Sequence, residues 1–278
     1  MLRIFYAEFS RFLKSKYLYI FLAISALVGA FCGIGYFKSF YSLVPVFSVT
    51  AAVELILTPE FTDGGLRNKI IAGHKKGSVY AVEAGICLLL SLLYSLIFFI
   101  GFLISSKISG IQFYGNSIIL FCMSLVVSTT VFAMIFSALN MLISNKVLAP
   151  IISFMVIVLM LGLGMLVDEQ LSYDEFFVQM ELVQFSDGSF DYKEVLIPNE
   201  LYIGGATRQL LTIFDCINPY SHASEIFSVI QMNFNEFYTA KDLEEAAAAL
   251  SYNPLWTLIL GAFMTLIGFV IFKRRDIK

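Results

Sequence analysis

The chain has 278 residues, 59% of them hydrophobic and only 14% charged, with a mean hydropathy of +0.83. A soluble domain carries about a quarter charged residues, so this composition excludes one. Several apolar runs reach the ~18 residues or more that cross a bilayer core of about 30 Å, and they predict a polytopic membrane protein. With a net charge of −3, no nucleic-acid partner is expected.

Residues 2–16 open the chain as L-R-I-F-Y-A-E-F-S-R-F-L-K-S-K. Leu2, Phe5, Phe9, Phe12 and Leu13 recur at helical spacing, with Arg3, Ser10, Arg11 and Lys14 on the other side. This pattern predicts a helix lying in the membrane interface, with Arg11 and Lys14 at the headgroups. A plain cytoplasmic extension of the first span is the alternative. No cleavable signal peptide is expected, because no small-residue cleavage site follows a short apolar run.

Six spans follow, predicted at 17–37, 40–57, 79–104, 117–143, 148–167 and 254–272. Pro45 can kink the second. A polar loop, 58–78, joins spans two and three. A polar segment, 168–253, precedes the sixth span, and the chain ends K-R-R-D-I-K. Three regions result: 1–167, with the interfacial helix, five spans and the loop; the 168–253 insertion; and 254–278, with span six and the basic tail. The expected fold is an all-α polytopic membrane protein with six transmembrane helices, an N-terminal interfacial amphipathic helix and a small extracellular mixed α/β cap.

Lys and Arg favour cytoplasmic loops. With the N-terminus inside, 13 of the 18 basic residues fall on the inner side, while 15 of the 21 acidic residues lie in 168–253. Both termini are therefore expected in the cytoplasm, with the acidic insertion outside. Within it, V-Q-F-S-D-G-S-F-D-Y (183–192) carries an Asp-Gly hairpin signal. Residues 221–232 and 242–250 look helical. The acidity of this segment suits either a cationic substrate or a plain solvated surface. Cys32, Cys87 and Cys122 fall in apolar runs and only Cys216 in a polar one, so no disulfide framework is expected.

The chain lacks the chemistry of an engine. No G-x-x-x-x-G-K-[ST] phosphate loop occurs, so nucleotide is not expected to bind here. His74 and His222 lie on opposite sides of the membrane and cannot share a metal. No C-x-x-C or H-E-x-x-H is present. No catalytic residue, cofactor or metal site is expected. Glu54, Glu83 and Asn140 are the polar residues of interest within the spans. Buried ionisable residues mark ion pathways, yet Glu54 and Glu83 lie near inner ends, where pairing with nearby Lys or Arg is the simpler reading.

What remains is the polar loop, E-F-T-D-G-G-L-R-N-K-I-I-A-G-H-K-K-G from Glu60 to Gly77. Thr62 or Asp63 can cap a short helix, Gly64 and Gly65 permit a sharp entry, and Gly73 can end it. Lys75 and Lys76 can meet lipid headgroups. A knob of this kind can carry a push into the membrane; a basic turn that only sets topology has the same composition.

This loop resembles the loop between spans two and three of ATP-binding-cassette transporter permeases of the type-2 exporter family. Glu60, Gly64, Arg67, Asn68, Lys69 and Gly73 occupy the family's positions. Gly65 stands where the family often has threonine, and His74, Lys75 and Lys76 replace a small or apolar residue followed by Ser-Arg. The N-terminal helix, six spans, long insertion and basic tail are also similar in layout. The resemblance implies a permease subunit of a bacterial plasma-membrane exporter, with drugs, antimicrobial peptides or other amphiphiles as cargo. It implies a second permease chain, identical or not, and two cytoplasmic ATPase subunits that push on the loop, with Arg67, Asn68 and Lys69 as the contact. Alternatives are a non-transporting membrane sensor or immunity protein whose cap binds a ligand, and an ion-driven transporter.

Overall fold

The computed structural model describes residues 2–34, 48, 51–53, 65–110, 117–143, 145, 147–184, 190–221 and 253–275. The chain is mostly helical: α1 (Leu2–Lys14), α2 (Lys16–Gly33), α3 (Gly65–Ile71), α4 (Lys76–Ile108), α5 (Ser117–Leu142), α6 (Leu148–Leu171), α7 (Gly205–Ile217) and α8 (Asn253–Arg274). One antiparallel hairpin, β1 (Phe176–Gln184) and β2 (Phe190–Pro198), stands between α6 and α7. Among the described residues five helices are long and apolar enough to cross a membrane: α2, α4, α5, α6 and α8. The expected second span lies almost wholly outside the described residues.

α4 is the axis of the bundle. Its 33 residues span about 50 Å, more than the ~30 Å hydrocarbon core, so it projects beyond the membrane. Without a hydrophobic driving force inside lipid, helices associate through small residues that let backbones approach. Ser25, Gly29 and Gly33 form such a stripe on α2. A Cβ at Gly29 would run into the Phe98 carbonyl, and one at Gly101 on α4 into the Ala26 carbonyl. Ser25 Oγ donates to Tyr94 O at 2.9 Å across the same seam.

α5 packs on α4 through hydroxyls, with Ser95 Oγ and Thr129 Oγ1 2.6 Å apart. α8 closes on both. Gly268 admits the Tyr80 hydroxyl, which donates to Thr265 O at 3.0 Å. The Tyr80 ring sits between Phe269 and Phe272, with centroids 5.7 and 5.6 Å away.

Of the 168–253 segment, the structure describes a hairpin and one helix. The hairpin is present, with longer strands than the Asp-Gly signal alone marks; its tip, 185–189, lies outside the described residues, as does the 242–250 helix. After the hairpin the chain turns back along α6. Arg208 donates to Leu171 O and Tyr173 O at 3.0 and 3.2 Å, capping the carbonyl end of α6. Asn218 then donates through Nδ2 to Met160 O at 3.0 Å. Met160 lies half-way along α6, so the buried stretch Asn218–Ser221 sits beside the spans rather than clear of them. Gly164 makes room for the Tyr220 ring.

Candidate functional site

The polar loop forms the compact element its residues predict. α3 has only seven residues, too few to hold a helix in water without tertiary contacts. Its carbonyl end is closed by a Schellman arrangement. Gly73 N–H donates to Ile70 O at 3.0 Å and His74 N–H to Lys69 O at 3.2 Å, with Gly73 at φ 89°. α4 starts at Lys76, so four residues separate the helices.

Helical spacing divides α3 into two faces. Leu66 is buried, and Lys69, three residues on, turns the same way. Arg67, Asn68 and Ile71 point to water, Ile71 being 71% exposed. Of the three expected contact residues, Arg67 and Asn68 are therefore on the open surface and Lys69 is not. The lysine departs from expectation because two carboxylates draw it inward.

Lys69 Nζ lies 2.5 Å from Glu83 Oε1 on α4 and 2.7 Å from Glu8 Oε1 on α1. Glu8 Oε2 in turn meets Arg11 Nη2 at 2.6 Å. Two acids and two bases thus alternate through three helices. The Glu83 side chain is 1% exposed, Glu8 10% and Lys69 13%. Burying an unmatched charge costs several kcal/mol, roughly 3–5 when one member of a buried pair is removed. The chain of ion pairs therefore ties the interfacial helix, the loop helix and the longest span together. The pairing expected for Glu83 with a nearby base is present.

Glu8 had no place in the sequence-based site. The signal was available: Ile4, Glu8 and Phe12 are four residues apart and all buried, placing a carboxylate on the apolar stripe of an amphipathic helix. That stripe is rotated from the predicted one. Phe5 and Phe9 flank it, stacked at 5.9 Å, while Leu13 is 41% exposed. Arg11 and Lys14 face outward as expected.

A second knot holds the same end of the bundle. Lys76 Nζ donates to Arg275 O at 2.5 Å, and Arg275 Nη1 donates to Leu142 O at 2.6 Å. These contacts tie the ends of α4, α5 and α8. Lys76 is thus half-buried against the C-terminal segment, whereas Lys75 is exposed. Asn140 is buried and donates to Phe136 O at 3.0 Å, a bond within its own helix. Gly65 begins α3. Glu54, Glu60 and Gly64 lie outside the described residues, as do Thr62 and Asp63.

No protein-family model, no curated protein and no solved structure matches this chain.

Proposed function

We propose that this protein is the membrane-spanning subunit of an ATP-driven exporter, and that α3 is the helix on which separate ATPase subunits push. One observation carries the reading. A seven-residue helix stands at the end of the longest span with an exposed Arg67–Asn68–Ile71 face, and its buried face is ion-paired to two other helices. A knob fixed this firmly moves with α4 when it is pushed. The mixed basic and apolar character of the open face suits a protein partner more than a headgroup layer.

In this reading six spans, counting 40–57, leave both termini in the cytoplasm of a bacterial plasma membrane. A second permease chain completes the path. The ATPase subunits supply the energy, and the cargo is a drug, a peptide or another amphiphile. Arg67, Asn68 and Ile71 form the contact, and Lys69 transmits it through Glu83 to α4 and through Glu8 to α1.

The test is capture of the tagged chain from its native membranes in mild detergent, with ATP hydrolysis assayed on the eluate. ATPase activity is expected to co-elute with the native chain and to be lost with Arg67→Glu, while membrane insertion stays normal. A well-folded native chain that brings down no ATPase overturns the reading.

A further inference from the structure

The hairpin changes polarity along its length rather than across it. Its first four register pairs are Phe176–Pro198, Phe177–Ile197, Val178–Leu196 and Gln179–Val195, in which nothing is charged and only Gln179 is polar. Charge begins with the next pair: Glu194 opposes Met180, Glu181 opposes Lys193, and Asp191 opposes Val183. Side chains alternate between the two faces of a strand, so the uncharged base is apolar on both. Phe176, Val178 and Leu196 are exposed on one face, and Phe177 is 47% exposed on the other, beside the half-buried Val195 and Ile197. A docked partner covers one face of a hairpin, whereas a surrounding layer covers both.

The base is also held at the membrane. β1 begins five residues after α6 ends at Leu171. Asn199 N–H donates to Glu175 O at 2.9 Å and closes the base. Arg208 then fixes the chain leaving the hairpin to the same end of α6, through Leu171 O and Tyr173 O. From there α7 runs beside α6 towards Met160, with Leu210 and Ile213 exposed. The hairpin therefore stands between two elements that lie against the bilayer core. Tyr173 and Tyr202 flank its base, the Arg208 guanidinium lying 4.7 Å from the Tyr202 ring centre, and tyrosine favours the headgroup level. Four register pairs span about 10 Å, comparable with the roughly 5–10 Å to which interfacial elements bury apolar side chains. Water in that layer satisfies the open strand edges, as hydrocarbon would not. We infer that the base of the hairpin is a lipid-contact surface, sunk into the headgroup–acyl boundary at this end of α6 with its charged tip in water. The inference needs α6 to span the membrane and does not rest on the exporter reading.

The test uses the full chain in nanodiscs of zwitterionic lipid. Trp256 is the single tryptophan, so Trp256→Phe provides a dark background. Phe177→Trp and Leu196→Trp, one on each face of the base, and Leu182→Trp near the tip are added to it one at a time. Emission is read with lipid brominated on the acyl chain just below the headgroup, and separately with acrylamide in the water. Both base positions are expected to emit to the blue, to be quenched by the brominated lipid and to be protected from acrylamide; Leu182→Trp is expected to do the reverse. Adding Val178→Asp and Val195→Asp to Phe177→Trp lifts the base out, shifting emission to the red and opening it to acrylamide. These positions are exposed or half-buried, and monodispersity with native helix content checks the fold of each variant. Base positions open to acrylamide and untouched by brominated lipid overturn the inference, as does lipid quenching on one face alone or equally strong at the tip. Emission that the aspartates leave unchanged overturns it too. So does protection of the base from both quenchers, since that outcome assigns the base to a protein partner or a second copy.

Discussion

The two ends of the molecule handle buried acid in opposite ways. At the α3 end, Glu8 and Glu83 each meet a base, and the pairs run through three helices. At the hairpin end, the half-buried Asp168 of α6 and the buried Asp215 of α7 are set acid against acid. The nearby guanidinium of Arg208 is directed to backbone carbonyls instead. The first arrangement fixes elements to each other and suits transmission of force. The second joins α7 to α6 through guanidinium and amide contacts to backbone carbonyls and leaves both faces of the hairpin exposed.

Substitutions at the two ends test this contrast. The largest effect is expected from Arg67→Glu, which abolishes ATPase capture and transport yet leaves thermal stability in detergent within about 0.5 kcal/mol, since the residue is exposed. Next comes Glu83→Gln, which strands Lys69 beside a single carboxylate. It is expected to cost about 3 kcal/mol in detergent unfolding. Replacing Glu8, Lys69 and Glu83 together by Leu, Met and Leu restores much of that stability, because no unmatched buried charge remains and the half-exposed Arg11 is left to water, but transport stays impaired if the pairs pass the movement. Full transport in the triple variant would reduce them to scaffolding.

Gly29→Val tests the seam between α2 and α4 rather than either end. With no room for a Cβ against Phe98 O, the helices must part, at a cost of about 1–3 kcal/mol. The smallest effect is expected from Asp215→Asn. It removes one acid of the like-charge pair with Asp168, so stability at neutral pH is unchanged or raised by at most about 1 kcal/mol. A loss as large as that of Glu83→Gln would erase the contrast between the two ends.

Much of the architecture was legible from residues near each other in sequence. Apolar runs such as 148–167 cross a membrane whatever their neighbours, because an unpaired backbone in lipid leaves a helix as the only open form. Gly73 ended its helix as expected, since a left-handed residue is needed there and glycine adopts it freely. The G-x-x-x-G spacing of Gly29 and Gly33 went unread in the sequence, and even once noticed it marks a seam without naming the helix it meets. The candidate site was half legible. The exposed pair Arg67 and Asn68 follows from local helix geometry, whereas the inward turn of Lys69 depends on Glu8, far away in the chain.

The sequence by itself determined that the chain crosses a membrane, which side its basic residues favour, where its short loop helix lies and that a hairpin follows the 148–167 run. These are local matters of hydropathy, charge and turn chemistry. Only the tertiary structure decided that Lys69 joins α1 to α4 and that Asn218 reaches Met160 half-way along α6. Those outcomes rest on contacts between distant residues, and burial converts each into a requirement: a charge or an amide withdrawn from water must find its partner wherever the fold has placed one.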